Sequence, residues 1–137
     1  MSHALLISWN SSSELGIPVL DEQHRGIVSI INSFGFSMQG NTQSEFYLNT
    51  IFTMMDCYTK LHFSTEEELF CLASYPGMEE HKKQHRNLIN KSFSIGSKSM
   101  RLRDPNIYLD FLQEWWVTHI NEDDLLYGPC IRKYLCI

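Results

Sequence analysis

Two short patterns in this chain could do chemistry. His62-Phe63-Ser64-Thr65-Glu66 and His81-Lys82-Lys83-Gln84-His85 each place two potential metal ligands four residues apart. On an α-helix four residues rotate by ~40° and rise by one turn, so both members of each pair point the same way. Tyr75-Pro76-Gly77 breaks the helical run between them, as a short connection between antiparallel helices would. One His/Glu pair and one His/His pair are thereby aimed at a common interior, which is the geometry of a metal site.

The elements that must carry these pairs follow from hydrophobic periodicity. Leu20, His24, Ile27, Ile31, Phe34 and Met38 step by three and four along a first helix over about 20–39, with acidic residues in its first turn. Gly35 within it costs about 1 kcal/mol against alanine and marks close packing or a frayed end. Gly40-Asn41 ends that run, and Thr42-Gln43-Ser44-Glu45 reads as a capping box for a second helix over about 43–73. Its stripe is Leu48, Ile51, Met55, Tyr58, His62, Glu66 and Leu69, with Met54 and Met55 read as core filler rather than ligands. A third helix over about 78–98 carries Met78, His81, His85 and Leu88 on one face and softens around Gly96 and its serines. Asp104-Pro105 is an N-cap followed by proline at the first helical position. It opens a fourth helix over about 105–127, with Tyr108, Leu112, Trp115 and His119 inward and Gly128-Pro129 as its stop. Residues 1–19 form an arm anchored by Trp9, Leu15 and Ile17, with His3 solvated. The tail from Cys130 to Ile137 packs back as a short helical turn. The expectation is one all-α domain over residues 1–137, an up-down-up-down four-helix bundle with an N-terminal arm and a short C-terminal tail.

Composition narrows the function classes. The chain has 137 residues, 43% hydrophobic and 20% charged, with a net charge of −5. That size suffices to bury a core, and the charge, with no basic cluster to offset it, excludes a nucleic-acid partner. No apolar run approaches the ~18 residues of a membrane span, and no signal-peptide pattern opens the chain. Cys57, Cys71, Cys130 and Cys136 lack C-x-x-C spacing and read as free thiols in a reducing cytoplasm.

Five of the six histidines, His24, His62, His81, His85 and His119, fall on inward faces. That many buried imidazoles in one bundle are costly to desolvate without a metal. A closed structural zinc site would favour cysteine, and none accompanies them. Five imidazoles with Glu66 and the acidic cluster Glu122, Asp123 and Asp124 exceed what one ion can use. Two ions sharing bridging carboxylates fit the count. Three histidines on one iron and two on the other, with two carboxylates and an oxo or hydroxo group between them, leave one position vacant. Dioxygen is the natural small ligand for such a vacancy on paired ferrous ions.

Asp21-Glu22-Gln23-His24, His62-x-x-x-Glu66-Glu67, Tyr75-Pro76-Gly77 with His81-x-x-x-His85, and Trp115-x-x-x-His119-Ile120 together resemble the hemerythrin family in its bacterial form. The match runs from Trp9 to Tyr127. The resemblance implies the same bundle, with His81, His85 and His119 on the saturated iron and His24 and His62 on the iron that receives oxygen. It makes Glu66 one bridge. For the second, helical spacing prefers Asp123, four residues after His119, since five residues rotate ~140° away. The family pattern of His-Ile, three residues, Asp, two residues, Tyr selects Asp124 with Tyr127, and we follow it. Phe63, Trp116 and Ile120 would line the oxygen pocket. Trp116 stands where bacterial relatives usually carry leucine, so its indole either reshapes that pocket or turns outward against the arm.

The implied function is reversible dioxygen binding at a non-haem di-iron centre, as a carrier or store, and not enzymatic. Oxygen-activating di-iron bundles use four glutamates and paired Glu-x-x-His motifs, which this set replaces with neutral imidazoles. The alternatives are an oxygen or redox sensor acting through an unidentified protein partner, or an enzyme scavenging peroxide or nitric oxide.

Overall fold

The computed structural model describes residues 7–38, 45–120 and 123–137, with the backbone alone at 45 and 123. His3, the Gly40-Asn41 stop, the Thr42–Glu45 capping box and Glu122 lie outside that description.

Four helices form the bundle: α1 (Pro18–Ser37), α2 (Glu45–Ala73), α3 (Met78–Leu102) and α4 (Pro105–Trp115). No strand occurs among the described residues. α1 packs on α2 and α4, and α3 packs on the same two, which closes a four-membered ring. The links are short. Ser74 turns the chain in the left-handed region (φ 53°) before Tyr75-Pro76-Gly77, and Arg103 does the same (φ 52°) between α3 and α4. Asp104 then caps α4 by accepting from the Asn106 amide, with Pro105 in the first turn.

Three boundaries differ from the periodicity reading, each for a local reason. α1 starts at Pro18, whose fixed φ suits a first helical position. Asp21 is freed from capping and reaches back to accept from the amides of Leu15 (2.7 Å) and Gly16 (3.2 Å), tying the arm to the bundle. α3 does not soften at Gly96. Phe52 packs so closely there that an added Cβ would sit 1.9 Å from its ring, so the glycine admits a neighbour instead of ending a helix. Gly128-Pro129 opens a fifth helix, α5 (Gly128–Leu135), with proline in its first turn. Met54 is exposed, at 48%, and fills no core, whereas Met55 is buried.

The fourth inward run is also not one continuous α-helix. After Trp115 the backbone widens into a π-helical turn, Trp116–Ile120, and resumes as a 3₁₀ turn, Asp123–Tyr127. Single π turns inside helices are recurrent at functional sites because they shift side-chain register.

Two apolar clusters result. A large one spans Ile27, Ile31, Phe34, Met55, Phe63, Leu112, Trp115, Trp116 and neighbours. A smaller one joins the arm (Leu15, Ile17) to Leu20, Phe70, Tyr127 and Ile131 of α5. His24 on α1 and His62 and Glu66 on α2 fall in sequence between members of the two clusters, so the polar residues occupy a layer with apolar packing on either side.

Candidate metal centre

His24, His62, Glu66, His81, His85, His119 and Asp124 are all buried, at 4% exposure or less, and the structure brings them into one cluster. α1 supplies His24, α2 supplies His62 and Glu66, and α3 supplies His81 and His85. The π turn supplies His119 and the 3₁₀ turn Asp124. The cluster divides into two overlapping sets. Ligand atoms of Glu66, His81, His85 and His119 lie within 4.8 Å of one another, and so do those of His24, His62, Glu66 and Asp124.

The two carboxylates link the sets oxygen by oxygen. Glu66 Oε1 faces Nε2 of His85 (2.9 Å) and His81 (3.9 Å), while its Oε2 faces His62 Nε2 at 3.5 Å. Asp124 Oδ1 faces Nε2 of His81 (3.0 Å) and His119 (3.4 Å), while its Oδ2 faces His24 (3.3 Å) and His62 (3.7 Å). Each carboxylate therefore spans both histidine groups, the arrangement of two bridges between two cations. Asp123 is described in its backbone only, so the comparison with Asp124 rests on the latter's position.

Electrostatics make the cluster a donor set. Burial, reinforced by neighbouring His62, pushes His24 down to about 3. Burial likewise lowers His81 to about 4 and His119 to about 3, against the pull of Glu66, and lowers His62 too. These rings are neutral near pH 7 and can turn lone pairs inward. Burial opposes ionisation of Glu66, yet the His62 ring and the Tyr127 hydroxyl, which donates to its Oε2, hold the carboxyl below its ordinary range. Burial, then Asp124 and Glu66, keep the Tyr127 phenol protonated by raising it well above its usual value.

The fit to a cation is tested by the packing of acceptors. The Nε2 atoms of His24 and His62 stand 3.0 Å apart, so both rings aim their inner nitrogens at one point. Glu66 Oε1 is buried with no hydrogen-bond donor in line with it. Five imidazoles and two carboxylates converge in one buried core, and the negative charge of the carboxylates there is what cations would offset. The histidine-rich, cysteine-free set with carboxylate bridges suits iron.

Aromatic rings wall the cluster. Phe63 stacks on His85 (centroids 3.8 Å, planes 6° apart) and lies 6.0 Å from the His62 ring. Trp115 runs parallel to His119 at 6.4 Å. Trp116 is buried and meets His24 edge-on at 6.0 Å, while also touching the arm through Trp9 at 6.1 Å. Trp116 therefore turns inward beside the two-histidine group rather than outward, and it packs on the arm from that buried position. Ile120 is buried in the same apolar cluster as Phe63 and Trp116.

Sequence reasoning gave no role to three residues within the quoted motifs. His85 Nδ1 pairs with Glu67 (2.7 Å), and His62 Nδ1 faces Gln23 Oε1 (2.9 Å), which is steadied by Thr65 (3.0 Å). Glu67 and Gln23 each adjoin a ligand in sequence, and that adjacency was the available signal.

The profile described as "Hemerythrin HHE cation binding domain" matches residues 15–131. A bacteriohemerythrin of Clostridium acetobutylicum is 33% identical over 87% of this chain and 96% of its own length. One from Stenotrophomonas maltophilia is 30% identical over 95% of this chain and 84% of its own. In fold, the chain is similar to a crystal structure of wild-type hemerythrin, with a TM-score of 0.77 at 24% identity, over 92% of this chain and 98% of that one.

Proposed function

The chain belongs to the hemerythrin family, and on that premise we propose that its buried cluster holds two iron ions and binds dioxygen reversibly, as a carrier or store. The observation that carries this reading is the pairing of each carboxylate's two oxygens with different histidine groups, at Glu66 and Asp124. His81, His85 and His119 would hold one iron, His24 and His62 the other, with Glu66 and Asp124 common to both. Ferrous ions held by these residues would supply the electrons for binding dioxygen.

The chain's own residues set the outcome. Five imidazoles and two carboxylates deliver little anionic charge, and high-valent states that cleave the O–O bond need more. Tyr127 holds Glu66 in place through a hydroxyl that stays protonated. Phe63, Trp116 and Ile120, all 3% exposed or less, keep water from the two-histidine side. Exclusion of water disfavours charge-separated release of superoxide and favours return of neutral dioxygen. No helix among the described residues is long and apolar enough to cross a membrane.

Metal analysis after reconstitution tests the reading. Two iron ions per chain are expected. One equivalent, or a preference for zinc over iron, would overturn it.

A further inference from the structure

The outer nitrogens of the histidines carry a second pattern, one that ligand geometry alone does not require. His85 meets a carboxylate, Glu67 Oε2, at 2.7 Å, with its ring held flat against Phe63. His62 meets a neutral amide. The Thr65 hydroxyl donates to the Leu61 carbonyl (3.0 Å), so its oxygen is left to accept from Gln23 Nε2 (3.0 Å). That engages the amide nitrogen and turns Gln23 Oε1 toward His62 Nδ1 at 2.9 Å. His24 Nδ1 is buried with no hydrogen-bond partner at all. The carboxylate therefore serves the three-histidine group, and the two-histidine group receives an amide on one ring and nothing on the other.

Resting on the di-iron reading above, we propose that Glu67 and Gln23 are positioning residues that set the two iron positions apart electronically. Glu67 draws the Nδ1 proton of His85 and makes Nε2 a stronger donor, which favours the ferric state at the three-histidine position. Gln23, oriented by Thr65, fixes the His62 tautomer with Nε2 facing inward but adds no negative charge. The three-histidine iron is then the easier of the two to oxidise. The two-histidine iron, where the vacancy lies, is held the less electron-rich.

The test is a redox titration of iron-loaded wild type, Glu67→Gln, Glu67→Asp and Gln23→Glu, with iron content measured on the same samples. The imidazole nitrogen resonances of the metal-free proteins give an independent readout. All four proteins are expected to hold two irons. Glu67→Gln should raise the potential of the first oxidation step and speed chelator extraction of one iron by about 10- to 100-fold. Glu67→Asp should restore wild-type behaviour, and Gln23→Glu should lower the potential of the other step. In the metal-free protein His85 should carry its proton on Nδ1, and Glu67→Gln should give a mixture of tautomers. Glu67→Gln and Gln23→Glu with two irons, wild-type potentials and wild-type tautomers would overturn the inference, even if both melt at lower temperature. A wild type that takes up no iron pair would instead overturn the di-iron reading and this inference with it, so the two failures are told apart by the iron assay.

Discussion

The two histidine groups are built by different means. On the three-histidine side, one helix supplies His81 and His85 a turn apart, and the π turn adds His119. His85 is stacked against Phe63 and His119 against Trp115, and Glu67 anchors His85 from outside. On the two-histidine side, α1 and α2 contribute one ring each, and Trp116 meets His24 edge-on with Trp9 of the arm behind it, as a lid. One half is over-determined by packing. The other depends on the relative placement of two helices and on an arm tied down through Asp21. Such a division suits a centre in which one position only holds metal and the other exchanges a ligand.

The strongest way to break the comparison is to remove what both halves share. Asp124→Ala should abolish the di-iron spectrum, because Asp124 faces rings of both groups, whereas Asp123→Ala should leave it largely intact. Metal content and absorbance on the two variants decide the matter, and the reverse result would identify Asp123 as the bridge.

Acid should come next in size. His24, His81 and His119 have folded pKa values near 3, 4 and 3, below the ordinary 6.5. Between those limits the unfolded chain binds more protons, so these rings make stability fall as pH drops from about 6.5, and their share of the loss is complete below about 3. Each histidine contributes up to about 1.4 kcal/mol per pH unit in that window. Denaturant unfolding of the metal-free protein at several pH values measures the slope. A stability independent of pH from 6.5 to 4 would contradict neutral, buried rings in both halves.

A smaller effect sharpens the contrast at the lid. Trp116→Leu should cost about 2 kcal/mol of stability through the lost ring. It should also speed azide binding to the oxidised protein several-fold and quicken autoxidation, without changing iron content. Stopped-flow mixing checks the first rate and absorbance decay in air the second. Equal rates in wild type and variant would confine Trp116 to holding the arm.

Much of this centre was legible in the residues because most of it obeys helical periodicity. The pairs His62/Glu66 and His81/His85 sit one turn apart on regular helices, and the 3–4 stripe alone places His24 between Leu20 and Ile27. Periodicity loses its basis where the regular helix ends. His119 and Asp124 are five apart, which on an α-helix turns the second away, and α-helical spacing accordingly preferred Asp123. The π turn at Trp116–Ile120 changes the residues per turn and removes the basis of that rule. By residue type Gly96 marks a soft end and Gly128-Pro129 a stop, but Phe52 packs against the first and a new helix opens at the second. The roles of Gln23, Glu67 and Thr65 depend on contacts between separate helices or on ring orientation, and no one-dimensional pattern encodes those.

The central claim is most directly tested by the optical spectrum of the reduced, iron-loaded protein, recorded anaerobically, after exposure to air, and again after oxygen is withdrawn. The account predicts a nearly colourless reduced form, an absorbance that appears with oxygen, and its disappearance on deoxygenation over repeated cycles. An absorbance that forms once and persists after oxygen is removed, or no change on exposure to air, would contradict reversible binding at this site.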